Sequence, residues 1–353
     1  MTSRLASVLR RSVVAAGAPV VAAGVAWLAA PAAVLAHGPI PAEPPSVTSI
    51  LFGWSFEPLV LLPLLGSALA WILAVRRVNA AHPANPVPRS RTLAFLGGLF
   101  AIAFALQSGI DQYDTALFSI HMVQHVLLIL VAAPLIALSG PVTLALRVAR
   151  PDIRRRYLLP ILHSRPVRLL SHPVVAWLLL AAVMWGTHFS PLFDAALENP
   201  WLHDLEHLLF LVTALLFWWP AVARDPAPWR MPHPGRVMYV FLQMPQNTFL
   251  AVVILFASGP LYPHYATLNR PWGPSPLVDQ QLAGAVMWLA GDFIFIGAII
   301  AIVASWMRFE ERDSARADRQ AATEEVAIRA REVVLADRLA DQQEQHQGSQ
   351  TPS

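Results

Sequence analysis

Seven stretches of the chain carry almost only apolar side chains: 50–75, 92–110, 118–139, 173–189, 203–223, 236–258 and 281–307. A helix needs about 20 such residues to cross a hydrocarbon core of ~30 Å. The runs are continuously apolar. They do not alternate with period two over ~9–11 residues, as the strands of a membrane barrel would. The pattern therefore predicts an all-α fold, a polytopic membrane bundle of seven transmembrane helices.

An eighth, weaker run at 13–35 has another character. Arg4, Arg10 and Arg11 precede an Ala/Val-rich core that ends in Val34-Leu35-Ala36. A positive start, a short apolar core and a small-residue site read as a signal peptide over 1–36. An uncleaved first helix is the alternative. Residues 37–307 then form the membrane domain.

Composition agrees with a membrane protein. Hydrophobic residues make up 56% of the chain and charged residues 13%, against ~25% charged in soluble domains. This excludes a disordered chain and argues against an ordinary soluble enzyme. There are no cysteines, which removes disulfides, thiolate metal sites, iron–sulfur clusters and dithiol redox chemistry. All 25 basic residues are arginine, and the net charge is only +3. That is too little to point to nucleic acid as a partner.

The placement of the arginines says more than their number. Fourteen fall in the loops after the first, third and fifth spans, whereas the alternate loops hold only Arg270. The positive-inside rule then puts the mature N-terminus outside and the C-terminus in the cytoplasm. The expected location is the bacterial plasma membrane, with the arginine loops against anionic lipid. Residues 308–353 break the composition. They are rich in Arg, Glu, Asp, Ala and Gln, and read as a charged cytoplasmic tail, helical and then disordered.

With the topology drawn, the histidines gather. His121 and His125, and again His203 and His207, have i,i+4 spacing. That spacing sets two side chains on one helix face, close enough to bind one metal ion. Both pairs fall in the first turns of spans that enter from the outside. His188 ends a span that leaves on that side, and Asp279 opens the last span there. Glu57 and His264 lie at the same depth. Glu206 stands one position too late for a zinc-protease motif. Imidazole, carboxylate and the thioethers of Met122, Met184, Met244 and Met287 suit copper better than zinc. Ionisable groups within membrane spans are functional candidates because burying them is costly. His121, His125, His203, His207, His188 and Asp279 are therefore the expected metal-site residues. His82, His163, His172 and His233 lie in Arg/Pro-rich loops and carry no specific expectation. A mature N-terminal His37 would be a further copper chelator.

Two polar interruptions remain. Span six contains Gln243-Met244-Pro245-Gln246-Asn247, where proline breaks the helix ladder. Asp292 sits about 20 Å along the last span from Asp279. No nucleophile–base constellation or phosphate loop is present, so catalysis is not expected.

His121-Met-Val-Gln-His125 leads to Ala133-Pro134 and Gly140-Pro141, and His203-Asp-Leu-Glu-His207 leads to Phe217-Trp218-Trp219-Pro220. Gly259-Pro-Leu-Tyr262-Pro-His-Tyr265, Asp279-Gln280-Gln281, Met287-Trp288 and Gly291-Asp292 follow in order. Together they resemble the multi-span CtaG family of caa3-type cytochrome c oxidase assembly factors, over roughly 50–307. Glu57 stands where that family's opening segment more often has Asp. The resemblance implies a membrane assembly factor for haem-copper oxidase that handles copper and has oxidase subunits as partners. A b-type haem protein, using His from facing helices, and a copper transporter, with polar groups through the bilayer, are the competing readings.

Overall fold

The computed structural model describes the backbone of residues 41–348 and side chains to residue 332. The expected signal peptide lies outside the described residues. Among them there are helices and no strands. Six helices among the described residues are long and apolar enough to cross a membrane, or seven if one pair of helices, bent by 71°, counts as a single crossing.

Proline at the first helical position opens most of the long helices, where its missing N–H costs nothing. After a short helix α1 (Val47–Phe52), α2 runs over Pro58–Ala81 and α3 over Arg89–Gln107, followed by the short α4 (Gly109–Tyr113). α5 (Phe118–Val126) passes through a widened π turn, Leu127–Ala132, into α6 (Ala133–Ser139). Gly140 then takes a left-handed conformation, φ 72°, and α7 (Pro141–Val148) follows. A π turn exposes carbonyls that need other donors. The Trp218 indole N–H donates to one of them, Ile129 O, at 2.9 Å.

α8 (Pro173–His188) has 16 residues. At 1.5 Å per residue it spans ~24 Å, short of a hydrocarbon core. It joins α9 (Leu192–Glu198) at a 71° bend. α10 (Pro200–Val222) begins on Asn199, whose side chain accepts from Trp201 N at 3.0 Å. The sixth expected span is two helices, α11 (His233–Phe241) and α12 (Gln243–Leu255), parted at Leu242 before Pro245. α13 (Pro263–Thr267) precedes α14 (Pro276–Gly348). The first expected span thus starts later in the structure, and the last continues into the charged tail.

Within residues up to 299, α10 packs against both α8 and α6, and α3 lies along the π turn and α6. Gly284 and Gly291 let α14 approach α12. A Cβ on Gly284 would meet Ala251 O at 3.0 Å, and one on Gly291 would overlap the Asn247 amide. Small residues at such contacts are how membrane helices pack closely. The exposed large apolar residues, such as Leu62, Leu65 and Leu69 on α2, are suited to lipid. The described residues from 300 onward form a separate unit. Within it Arg329 pairs with Glu325 at 2.6 Å.

Candidate metal centre

The two histidine pairs face each other. Ring centroids are 4.2 Å apart within His121/His125 and 4.2 Å within His203/His207. Across the helices they are 5.2 Å apart for His121 and His203, and 5.8 Å for His125 and His207. All four rings are at most 4% exposed. Two carboxylates join them. Asp114, in the turn between α4 and α5, and Glu206, on α10, are both buried.

These groups form two adjacent donor sets. Asp114, His121 and His203 each bring a ligand atom within 4.8 Å of the others, and so do His121, His125 and Glu206. His121 belongs to both. Neither nitrogen of His121 or His125, and neither oxygen of Glu206, has a hydrogen-bond partner. A buried polar group left unpaired costs ~1–3 kcal/mol, more if charged. A cation taking those lone pairs would remove that cost. Burial pushes the Asp114 carboxyl up to about 8, and a bound cation would restore its ionised form at neutral pH. The imidazole–carboxylate set, without thiolate, fits Cu, Zn, Fe or Ni.

His188 stands beside this cluster, its ring 6.0 Å from His125. Its Nδ1 lies 2.7 Å from Met184 O. A carbonyl only accepts, so Nδ1 carries the proton and Nε2 the lone pair. That Nε2 is buried and without a partner. A ring nitrogen fixed in this way is how a protein prepares a histidine ligand.

Asp279 is elsewhere. Its carboxylate accepts from Phe118 N at 2.7 Å, Ser119 N at 3.3 Å and Ser119 Oγ at 2.5 Å, and lies 3.9 Å from Arg270 Nη2. The residue before α5, Leu117, gives no side-chain cap. An acidic group from α14 supplies it instead, at the helix end that favours negative charge. Asp279 thus holds the start of the helix that carries His121 and His125. His264 is also apart, its Nε2 3.0 Å from Thr115 O. Glu57 is exposed at the start of α2.

An aromatic roof closes the cluster on its loop side. Phe193, on α9, lies 5.2 Å from the His121 ring, 5.5 Å from Phe118 and 4.4 Å from Tyr262. The 71° bend after His188 brings α9 over the site.

Sequence reasoning passed over Asp114 and Glu206 as candidate ligands. Glu206 lies three residues after His203, on its face of α10, and that spacing was a usable signal. Asp114 lies in an irregular turn, with no periodicity to orient it.

Buried ligand groups from several helices at one end of an apolar bundle define a polytopic membrane protein with a candidate metal centre. The chain belongs to the cytochrome c oxidase caa3 assembly factor family, whose model matches residues 69–309. It is 35% identical over 286 residues to uncharacterized proteins of Mycobacterium bovis and Mycobacterium tuberculosis, covering 79% of this chain and 43% of each relative. An uncharacterized protein of Mycobacterium leprae is 32% identical, with the same coverage of 79% and 43%. The chain thus spans less than half the length of these relatives. No solved structure matches.

Proposed function

We propose that this assembly factor binds copper at the cluster of His121, His125, His203 and His207, with Asp114 and Glu206, and passes it to oxidase subunits. His188 is read as a further ligand and Asp279 as a positioning group. The observation that carries the reading is the set of buried, partnerless donor atoms on His121, His125 and Glu206. Membership in the oxidase assembly family supports copper as the cargo, and the lack of cysteine leaves imidazole, carboxylate and thioether to hold it.

The positive-inside distribution of arginines supports placing the cluster on the outer side of the bacterial plasma membrane and the C-terminus in the cytoplasm. Anionic lipid is then the partner of the arginine loops. The part played by the chain is binding and hand-over rather than catalysis, and the roof over the cluster must open for the ion to leave.

A b-type haem fits poorly. The rings of His121 and His203 are 5.2 Å apart and packed against Phe193, and the cavity bordering His125 is only about 30 Å³, far too small for a porphyrin. A transport path fits poorly as well. Asn247 Nδ2 donates to Met287 O at 3.2 Å, and Asp292 accepts from Thr248 and Trp288. Asn247 and Asp292 are thus engaged in bonds within and between α12 and α14.

Metal content and the visible spectrum of the detergent-purified protein test the reading. Copper without a Soret band is expected, lost in His121→Ala/His125→Ala. A double variant that keeps its copper, with oxidase activity intact, would sink the assignment.

A further inference from the structure

We propose that the helical connection between α7 and α8 lies flat in the membrane interface, its arginines on the headgroups of anionic phospholipid and its apolar side chains among the acyl chains. This deepens the reading of the arginine loops as lipid partners, and rests on it for the cytoplasmic side.

The connection is not a plain loop. Pro151–Ile153, a widened turn over Arg154–Leu158 and Leu159–Leu162 run on without a break. Arg165–Leu170 follows, its start capped by Ser164 Oγ, which accepts from Val167 N at 3.5 Å. These segments pack on one another and on the start of α8. Tyr157 and Ile161, four residues apart on one helix face, are 53% and 52% exposed, and Leu169 and Leu170 are 61% and 40% exposed. Arg155, Arg156, Arg165 and Arg168 stand exposed among them. Large apolar side chains and arginines on the same short helical run are the pattern of a helix lying in the interface plane. An aromatic anchor stands beside it. Trp229, 36% exposed, donates its indole N–H to Arg168 O at 2.7 Å, and the Arg168 guanidinium lies 5.6 Å from its ring centre. Tryptophan is enriched at headgroup level, where one part of the ring is apolar and the N–H is bonded.

Charge selects the partner. From residue 147 to residue 170 the chain has seven arginines and one acidic residue, Asp152. Asp152 lies 3.6 Å from Arg150, and no other acid in the segment is present to pair with the remaining arginines. Asp225, on the loop that carries Trp229, already caps α7. An anionic lipid surface offers phosphates in a plane with apolar space directly below, which matches both kinds of side chain. An acidic peptide would match the arginines alone. The length of α8 points the same way. At ~24 Å it falls short of a ~30 Å hydrocarbon core, and a short span draws its flanking residues toward the hydrocarbon. Arg165–Leu170 leads directly into α8, so it is held at interface depth, with its arginines reaching outward to the headgroups.

The chain has no cysteine, so Arg155→Cys, Tyr157→Cys, Ile161→Cys and Leu169→Cys each give the full-length protein one site for a nitroxide label. Each variant is reconstituted in vesicles of phosphatidylcholine with phosphatidylglycerol, and in phosphatidylcholine alone. Collision of the label with O2 and with a polar nickel chelate reports its depth. With phosphatidylglycerol present, the oxygen-to-nickel ratio is expected to be several-fold higher for the labels replacing Tyr157, Ile161 and Leu169 than for the one replacing Arg155. Equal ratios at all four sites overturn the proposal, and that comparison needs only variants that differ by one exposed side chain. A difference just as large in phosphatidylcholine alone overturns the choice of an anionic lipid. Adding Arg156→Gln/Arg165→Gln/Arg168→Gln to Ile161→Cys is expected to lower its ratio several-fold, and an unchanged ratio overturns the part given to the arginines. Shielding of the Ile161→Cys label from nickel by polyglutamate, but not by phosphatidylglycerol vesicles, assigns the surface to an acidic protein and overturns it as well. A membrane-impermeant thiol reagent is expected to modify Arg155→Cys in inverted membrane vesicles and not in intact cells. Modification in intact cells, with the depth difference kept, overturns the cytoplasmic placement while supporting the docking.

Discussion

The two ends of α10 bury polar groups in opposite ways. At its C-terminal end the last carbonyls are met. Arg236 Nε donates to Ala221 O at 2.6 Å, Arg236 Nη2 to Val222 O at 2.9 Å, and the Tyr239 hydroxyl to Phe217 O at 3.2 Å. A cation at the negative end of the helix is electrostatically right as well as bonded. Nearby, Asp225 caps α7 by accepting from Val142 N at 3.0 Å and Thr143 N at 2.7 Å. At the N-terminal end Glu206 faces His121 and His125, and neither the carboxylate nor those two rings find a protein partner. Burial alone therefore does not mark a site. At the arginine end the last carbonyls have charged or hydroxyl donors, although the Trp219 indole N–H has no acceptor, whereas at the histidine end three ionisable side chains lack partners, and unpartnered ionisable groups are what single out a candidate binding centre.

The largest expected effect falls on the histidine end. His121→Leu/His125→Leu should lower metal affinity by more than the ~10–100-fold that loss of an outer-shell partner costs, read by equilibrium dialysis. Thermal stability of the metal-free form should hold or rise, because the change keeps the buried volume and removes ring nitrogens that had no hydrogen-bond partner. A strong loss of stability in that form would erase the contrast between the two ends.

Arg236→Leu is the converse. It should destabilise the fold by ~1.5–3 kcal/mol, the range for hydrogen bonds to a charged group, and leave metal stoichiometry unchanged. Chemical unfolding and metal analysis of the same sample check both halves.

Asp279→Ala tests the link between them, since it removes a cap without touching a ligand. Metal affinity should drop ~10–100-fold, as for a supporting group, and stability by ~0.5–2 kcal/mol, as for a lost N-cap. An affinity equal to wild type would mean that the start of α5 need not be held for the site to form. The smallest effect is expected at exposed His82. His82→Ala should stay within ~0.5 kcal/mol of wild type and bind metal normally.

Much of this was legible from the residue pattern, and the reasons differ from one position to another. The i,i+4 spacing of His121/His125 and His203/His207 survives folding because helix geometry fixes it, whatever lies around. The continuous apolar runs located the crossings for the same reason, although α8 ends after 16 residues and turns by 71°. That bend was not legible, because it depends on α9 packing over the cluster. Asp279 was read as a ligand or a supporting group. Its bonds to Phe118 and Ser119 join positions 160 or more residues apart, and no local pattern encodes such a contact. Asp114 was missed because its orientation is set by the turn between α4 and α5.

Sequence by itself determined the class of the molecule. Length and hydropathy of the spans dictate helices in lipid, where every backbone group must be bonded within its own segment. Helical periodicity dictates which histidines share a face. The absence of cysteine dictates which donors a metal could meet. Only the tertiary structure decided which carboxylates lie among the four histidines, that Asp279 caps α5 beside them, that Phe193 covers them, and that three methionines border one cavity next to them. Those facts depend on how helices distant in the chain are brought together, and helix–helix packing in lipid turns on close approach at residues such as Gly284 and Gly291.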